Sequence, residues 1–418
     1  MDTSIKFSPM GQRLTEPVIT DLMARALADP AMLSLAAGFT DNTQLPKSLV
    51  GQAVAGLTAP ESDPETLQYG TNAGRTGLRE AVCRIVSRHE GEDASRITPE
   101  QVFLAQGSQQ ALYLSMQVLC EPGDIILVEE PTYFVFMEML QGLGLEARSI
   151  PYSPDTGIDF GKLEQLFMEM QSTGEWARVR AVYIEGYFSN PSSRSQPASA
   201  KSGLANFLRE RNAILPIIED AAYRDLYFEK PWSAMSTLSM PEFDGFPVLY
   251  LGTFDKPFAS GLKSGFGICN HQEWRNNMLF AKGHQDFGSS NFVQALIERV
   301  VSTDAYDAHV ATVRAHYQGK AFQVQAILEA EGLADVGWQW EPPSGGLYFW
   351  LKGPEGFDTS IGSDFCEACL ANKVLYVPGD LCLAGGQPRN CVRLSYGVLL
   401  GAKLDEAVRR FVRTATAG

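Results

Sequence analysis

The sequence predicts an α/β protein: a mostly parallel sheet covered by helices on both faces, followed by a smaller α+β lobe. Three observations predict it. Apolar runs of strand length recur between residues 100 and 270 with helical stretches between them, the pattern of crossover connections. Each run ends in polar or glycine-rich residues. From about residue 290 the texture changes to long helical stretches reaching 332, and then to a glycine turn, Pro343-Ser344-Gly345-Gly346, that enters the strand-like Leu347-Tyr348-Phe349-Trp350.

The elements follow in order. Val102-Phe103-Leu104-Ala105 is the first run, and Gly107-Ser108-Gln109-Gln110 after it opens a helix through Leu112, Met116 and Leu119 that stops near Pro122-Gly123. Ile125-Ile126-Leu127-Val128 leads to Glu130-Pro131-Thr132-Tyr133, and Ala181-Val182-Tyr183-Ile184 to Ser189-Asn190-Pro191. Leu215-Pro216-Ile217-Ile218 leads to Glu219-Asp220-Ala221-Ala222-Tyr223, and Val248-Leu249-Tyr250-Leu251 to Thr253-Phe254-Asp255-Lys256. Ligands of open α/β sheets bind outside the carboxyl ends of the strands, so an aromatic, an amide, a carboxylate, a phenol and an amine should meet in one crevice. Pro60 to Pro64 and Gly353 to Gly356 read as surface loops, and no repeat or low-complexity tract interrupts the chain.

A chain of 418 residues with 45% hydrophobic content can bury a large core and should divide into two or more lobes. Its formal net charge of -15 argues against nucleic acid or an anionic membrane as partner, because phosphate binding needs a basic face. No apolar stretch approaches a bilayer span and Met1-Asp2-Thr3-Ser4-Ile5-Lys6 lacks a secretory apolar core, so a cytoplasmic protein is expected. Seven scattered cysteines read as reduced thiols. Cys366 and Cys369 form a CxxC inside a helical pattern with no second pair at ligand spacing, so no metal is expected.

Lys256 carries the chemical reading. An apolar strand delivers one amine into a turn beside Thr253; desolvation frees an amine's lone pair to attack an aldehyde, while Thr253 and Lys263 suit an anchored phosphate. Pyridoxal phosphate carries both groups. The backbone N–H groups of Gly107, Ser108 and Gln109 at a helix start also suit a phosphate, unless Ser108 is a plain N-cap. Tyr133 either stacks on a heteroaromatic ring or packs in the core. Asp220 either stays ionised and holds a pyridine nitrogen protonated, or caps a helix. Asn190 and Tyr223 can both hydrogen-bond a ring hydroxyl. Arg393, in the apolar strand Cys391-Val392-Arg393-Leu394-Ser395-Tyr396, needs an anion: a substrate carboxylate or a structural Asp or Glu.

In the order and spacing of its motifs the chain resembles the class I and II aminotransferases of fold type I, especially the branch with 2-aminoadipate and kynurenine aminotransferases. The motifs are Leu67-Gln68-Tyr69-Gly70 with Gly77-Leu78-Arg79-Glu80, Gly107-Ser108-Gln109-Gln110, Pro131-Thr132-Tyr133, Asn190-Pro191, Glu219-Asp220 with Tyr223, Lys256 with Lys263, Ser344-Gly345-Gly346, Val377-Pro378-Gly379 and Arg393-Leu394-Ser395. The resemblance spans nearly the whole chain. It implies a seven-stranded, mostly parallel sheet in a large cofactor domain over 47–300, an N-terminal arm and part of the small domain over 1–46, and a C-terminal small domain over 301–418. It implies that Lys256 forms the internal aldimine with pyridoxal 5'-phosphate and shuttles the proton between the substrate α-carbon and the cofactor C4′. Asp220 then pairs with the pyridine nitrogen, Tyr133 stacks on the ring, and Asn190 and Tyr223 contact O3′. Gly107, Ser108, Gln109, Thr253 and Lys263 hold the phosphate. Arg393 binds the α-carboxylate together with Asn190, and the backbone at Gly38 closes over it. Tyr69 reaches the phosphate of a neighbouring subunit, which implies a homodimer with shared active sites. The implied substrates are an L-amino acid and a 2-oxo acid.

Two departures from the family pattern sit beside the phosphate that the resemblance implies. Serine is usual where Asp255 stands and arginine where Lys263 stands. Two like charges about 6 Å apart at an effective dielectric of 20 repel by roughly 3 kcal/mol, about a hundredfold in affinity, so Asp255 is expected to turn away or pair with a cation. Gly186 stands for the usual proline, Ser193 for a common glycine and Cys382 for an aromatic. Asp255, Lys263 and Gly186 motivate an alternative, a decarboxylase, lyase or oxidase on the same scaffold. A DNA-binding regulator using this fold as a sensor is disfavoured by the acidic charge. The side-chain pocket is expected from loops at 10–45 and 284–294 and from the partner subunit, with His284, Gln285 and Asn291 as polar liners.

Overall fold

The computed structural model describes residues 5–17, 20, 24, 29–91 and 96–417; 18–19, 21–23 and 25–28 of the 10–45 loop lie outside the described residues. The main sheet has seven strands, β1 (Val102–Ala105), β2 (Ile125–Glu129), β3 (Glu146–Ile150), β4 (Val179–Glu185), β5 (Ile217–Asp220), β6 (Val248–Thr253) and β7 (Gly265–Cys269), in the order β1-β7-β6-β5-β4-β2-β3. Only β7 runs against the rest, antiparallel to both β1 and β6. The central strands are buried on both faces, which is why they read as unbroken apolar runs rather than as alternating ones.

Five of the seven strands match the apolar runs, though β5 begins at Ile217, one residue after Pro216, whose carbonyl accepts from the Val182 N–H at 2.9 Å. The two without such a signal have local reasons. β3 is the sheet edge and its Glu-Ala-Arg-Ser-Ile sequence is only partly buried. β7 is rich in glycine because side chains do not fit there: a β-carbon on Gly265 would lie 2.6 Å from the Ser108 nitrogen and one on Gly267 2.4 Å from the Phe103 ring.

The helix α1 (Gly107–Leu119) follows β1, and α2 (Phe134–Leu143) follows β2. Past the main sheet the chain forms Asn291–Val301, the long α3 (Asp304–Ala330), and a second, four-stranded sheet. Its strands are β8 (Gln339–Trp340), β9 (Tyr348–Lys352), β10 (Val377–Pro378) and β11 (Cys391–Ser395), ordered β8-β9-β11-β10 with antiparallel neighbours. The amphipathic α4 (Gly401–Thr416) packs on α3 and on the CxxC helix Asp364–Ala371. Cys366 and Cys369 are buried there, and all seven cysteines are free thiols.

The N-terminal segment joins this second unit. Leu33–Ser34 pairs in parallel with Val374–Leu375, and the Ser395 N–H donates to the Leu35 carbonyl at 2.6 Å, which carries Ala36 and Gly38 to the end of β11. Buried ion pairs tie separate segments of the chain together: Lys201 with Glu219 at 2.6 Å, Arg224 with Glu90, and Lys320 with Asp41 at 3.1 Å. Gly186 has its explanation here, since a β-carbon would meet the Glu219 Oε1 at 2.4 Å. Among the described residues no helix is long and apolar enough to cross a membrane.

Candidate active site

The carboxyl ends of β1, β2, β4, β5 and β6 open onto one cavity of about 400 Å³, closed from above by the Gly38 segment and β11. Gly38, Gly107, Ser108, Gln109, Tyr133, Asn190, Asp220, Tyr223, Thr253, Lys256, Lys263 and Arg393 all line it. Of the residues expected to hold the cofactor or the α-carboxylate, Tyr69 alone stands outside: it is 79% exposed, edge-on to Phe287 with ring centroids 5.7 Å apart. His284, Gln285 and Asn291, expected in a side-chain pocket shared with a partner subunit, do not line this cavity of the single chain. Asn291 is spent on the Glu65 and Gln68 carbonyls and on Arg75, and Gln285 accepts from Gln110. Asn291 thereby holds the loop before Thr76–Ser87, and Gln285 braces α1.

Lys256 sits in a single π-helical turn, Asp255–Ala259, directly after β6. Such wide turns place one residue off the regular helical path. Its Nζ donates to the Gly38 carbonyl at 2.9 Å and lies 5.7 Å from the centre of the Tyr223 ring. At the end of the cavity formed by the start of α1, the first-turn N–H groups of that helix have no intrahelical acceptor. Gly107 takes φ +71°, a left-handed conformation that turns the chain sharply from β1 into the helix. Ser108 is not the N-cap; that position is Gln106, without a side-chain cap. The Thr253 hydroxyl is committed to the backbone instead of free, donating to the Ser264 carbonyl at 3.3 Å and accepting from the Asp255 N–H at 3.0 Å.

Asp255 corrects the expectation that it would turn away or find a cation. It lines the cavity, its Oδ1 accepts from the Ser264 N–H at 2.9 Å, and among the described residues no cation lies within ion-pair distance. The reason is local: the Ser264 hydrogen bond fixes the carboxyl across the mouth of the turn, and burial pushes its pKa up to about 6, with Lys263 and Lys256 pulling the other way. The repulsion expected of a fully ionised acid is weakened accordingly.

At the opposite end Asp220 closes the cavity. Its Oδ1 accepts from the Ala222 N–H at 2.9 Å and its Oδ2 from the Tyr183 hydroxyl at 3.1 Å. Burial pushes it up to about 6 against those hydrogen bonds and the charge of Lys256. Asp220 therefore stands as a buried acid without a cationic partner, which a protonated ring nitrogen would supply. Beside it the structure reveals two acids that the strand-end pattern alone does not single out. Glu185, at the end of β4, accepts from the Asn190 N–H at 2.7 Å while its Oε1 is buried without a partner, and burial beside Asp220 and Glu129 raises its pKa well above the ordinary range. Glu129 accepts from the Glu185 N–H at 2.7 Å and is pushed up to about 7 by burial. A signal for Glu185 is present, since it is the first polar residue after the third apolar run.

Arg393 is 1% exposed and has no carboxylate within ion-pair distance among the described residues. Its Nη1 donates to the Asn190 Oδ1 at 2.8 Å, its Nη2 to the Ala36 carbonyl at 2.6 Å, and its Nε is buried without an acceptor. The guanidinium stands 4.4 Å from the centre of the Tyr348 ring, whose hydroxyl lies 2.8 Å from that of Tyr223. In the sequence Tyr348 shows only as part of an apolar strand. A half-buried amine, a nest of free N–H groups, a buried acid at the far end and a buried guanidinium with no anionic partner among the described residues together match an aldehyde, a phosphate, a ring nitrogen and a carboxylate. The donor set thus fits pyridoxal phosphate carrying an amino acid.

Comparison with known proteins supports the same chemistry. The sequence profile of "Aminotransferase class I and II" matches residues 32–411. The chain is 28% identical to aromatic-amino-acid aminotransferase 1 of Thermococcus litoralis over 387 residues, 92% of this chain and 88% of that one. Its structure is similar to α-aminoadipate aminotransferase of Thermus thermophilus, complexed with N-(5'-phosphopyridoxyl)-L-leucine, with TM-score 0.82 and 27% identity over 98% of this chain and 97% of that one. It is also similar to kynurenine aminotransferase of Pyrococcus horikoshii, with TM-score 0.86 and 26% identity over 98% and 97% of the two chains.

Proposed function

The chain belongs to the class I and II aminotransferases, and from that premise we propose how its own residues carry out the reaction. It is a pyridoxal-phosphate-dependent transaminase that moves an amino group between an amino acid and a 2-oxo acid. Bound pyridoxal phosphate supplies an electron sink for the charge that develops at the substrate α-carbon.

The chain's residues do the rest. Lys256 Nζ holds the cofactor when no substrate is present and then moves the proton of the substrate α-carbon, a role supported by its place at the centre of the cavity. Asp220 keeps the ring nitrogen protonated; a cation there offsets the burial that pushes its carboxyl up to about 6. Tyr133 covers the ring face. The Asn190 amide NH₂, left free when its Oδ1 takes Arg393, and the Tyr223 hydroxyl orient the ring hydroxyl. Gly107, Ser108, Gln109 and Lys263 seat the phosphate, with Thr253 bracing the turn that holds Asp255. Arg393 binds the substrate carboxylate with its remaining donors, and this is the observation that carries the reading: a buried guanidinium with an orphaned Nε and no protein anion beside it.

A homodimer is proposed as well. Leu67, Tyr69, Phe280 and Phe287 are large apolar side chains that stand exposed, and the Tyr69–Phe287 pair would be covered if a second copy took Tyr69 toward its own phosphate. The proposed division is an arm at 1–46, a cofactor domain at 47–300 and a small domain at 301–418, with pairing of Leu33–Ser34 to Val374–Leu375 supporting the assignment of the arm to the small domain. A cytoplasmic location is supported by seven free, mostly buried thiols.

The test is a half-reaction. Purified holoenzyme mixed with single amino acids, without any oxo acid, is expected to lose the absorbance of the aldehyde form of its cofactor and gain that of the amine form, reversibly on adding a 2-oxo acid. Carbon dioxide, ammonia or peroxide release with no accumulation of the amine form across a broad amino-acid panel would instead assign the decarboxylase, lyase or oxidase chemistry.

A further inference from the structure

The carboxyl of Asp255 occupies the phosphate end of the cavity, where an anion is the least favourable group. Its position is fixed from both sides, by the Ser264 N–H on Oδ1 at 2.9 Å and by its own N–H on the Thr253 Oγ1 at 3.0 Å. The other oxygen, Oδ2, lies 3.1 Å from where a β-carbon on Gly107 would stand, at the first turn of α1. Among the described residues no hydrogen bond or ion pair reaches Oδ2. That oxygen therefore lies beside the start of α1, proposed above to seat the phosphate.

The charged groups around it are few. Lys263 and Lys256 come from its own segment and neither forms an ion pair with it. α1, on one side of the turn, presents Gly107, Ser108 and Gln109, which have no titratable side chains. α3, on the other, meets the turn through Tyr306 and His309, both packed on Phe258. β7 contributes the Ser264 backbone that precedes it.

An ionised carboxyl here repels a phosphate, whereas a protonated one is a hydrogen-bond donor aimed at the same place. Burial already moves Asp255 toward the neutral form, with a pKa of about 6, and a bound phosphate acts in the same direction. We propose that Asp255 binds the cofactor phosphate as a neutral acid, donating from Oδ2–H to a phosphate oxygen, so that the cofactor enters together with one proton taken from solvent. The proposal rests on the reading of the α1 start as the phosphate seat. The bound form then holds one more proton than the free form. Affinity accordingly falls as pH rises, by about tenfold per pH unit between the free carboxyl's pKa and its higher value in the complex.

The experiment titrates pyridoxal phosphate into the full-length apoprotein, wild type, D255S and D255N, at a series of pH values from about 6 upward, following cofactor absorbance. The cofactor's own ionisations are common to all three proteins and cancel in the ratio, and the inorganic-phosphate arm leaves out the bond to Lys256. The wild-type Kd is expected to rise relative to that of D255N by about tenfold per pH unit, and parallel profiles would overturn the proposal. With inorganic phosphate as probe, calorimetry in two buffers of different ionisation enthalpy is expected to give one more proton taken up by wild type than by D255S; equal uptake overturns it. If both variants fail to fold, the wild type alone decides. A protonated-carboxyl C=O band that grows in the infrared difference spectrum on adding inorganic phosphate supports the proposal, and its absence refutes it. These readouts are independent of turnover: proton-linked phosphate binding without half-reaction colour change sinks the functional reading alone, and the converse sinks only this inference.

Discussion

Lys256→Ala is expected to lower kcat by about 10⁴-fold, because the substitution removes both the covalent attachment point and the group that moves the α-carbon proton, and a positioned general base alone contributes up to roughly that factor. The fold should survive. Lys256 makes one hydrogen bond, to the Gly38 carbonyl, and no ion pair in the described structure, so its loss leaves the sheet and the buried pairs at Glu219, Glu90 and Asp41 untouched. The variant should still bind pyridoxal phosphate through the α1 start and Asp220, but borohydride should no longer fix the cofactor to the protein. Steady-state kinetics with any accepted donor, a thermal melt and mass spectrometry after reduction check the three parts. Turnover within tenfold of wild type would remove Lys256 from the mechanism.

Arg393→Met is expected to cut kcat/KM by about 10² to 10³, the range that corresponds to losing one side of a buried, hydrogen-bonded charge pair. The stability result separates substrate binding from structure. In the free protein Arg393 is a buried cation with no anionic partner, so replacing it by an apolar side chain of similar length should leave the melting temperature unchanged or raise it. A structural role predicts the reverse, a fall of several kcal/mol with activity lost only in proportion. Kinetics with the amino acid and with the corresponding amine lacking its carboxylate sharpen the assignment, because the variant should lose its preference for the former.

The legible part of this protein lay at the strand ends. Apolar runs that need burial on both faces announced five strands of the main sheet, and the geometry of parallel sheets then required Tyr133, Asn190, Asp220, Tyr223 and Lys256 to share a crevice, as they do. Strands whose character depends on neighbours were not announced. The β7 glycines exist because Ser108 and Phe103 occupy the space their side chains would need, and the edge strand β3 shows its polar residues to solvent. Gln285 and Asn291 illustrate the limit on the other side: within the single chain their polar groups are taken up by Gln110, Glu65 and Gln68 in the scaffold.

By itself the sequence determined the cofactor chemistry, through the order and spacing of its motifs, and brought most of the strand-end side chains that line the crevice into view, because residue type and strand-end position are both local properties. Only the tertiary structure decided how those groups are charged and which of their atoms are free. Asp255 stays in the phosphate end because Ser264 holds it there, Glu185 and Glu129 stack their acids behind Asp220, and Arg393 is left without a protein anion. Each of these depends on how much water and which partner a group meets after segments distant in sequence have packed together, and ionisation responds to that surrounding rather than to the residue's name.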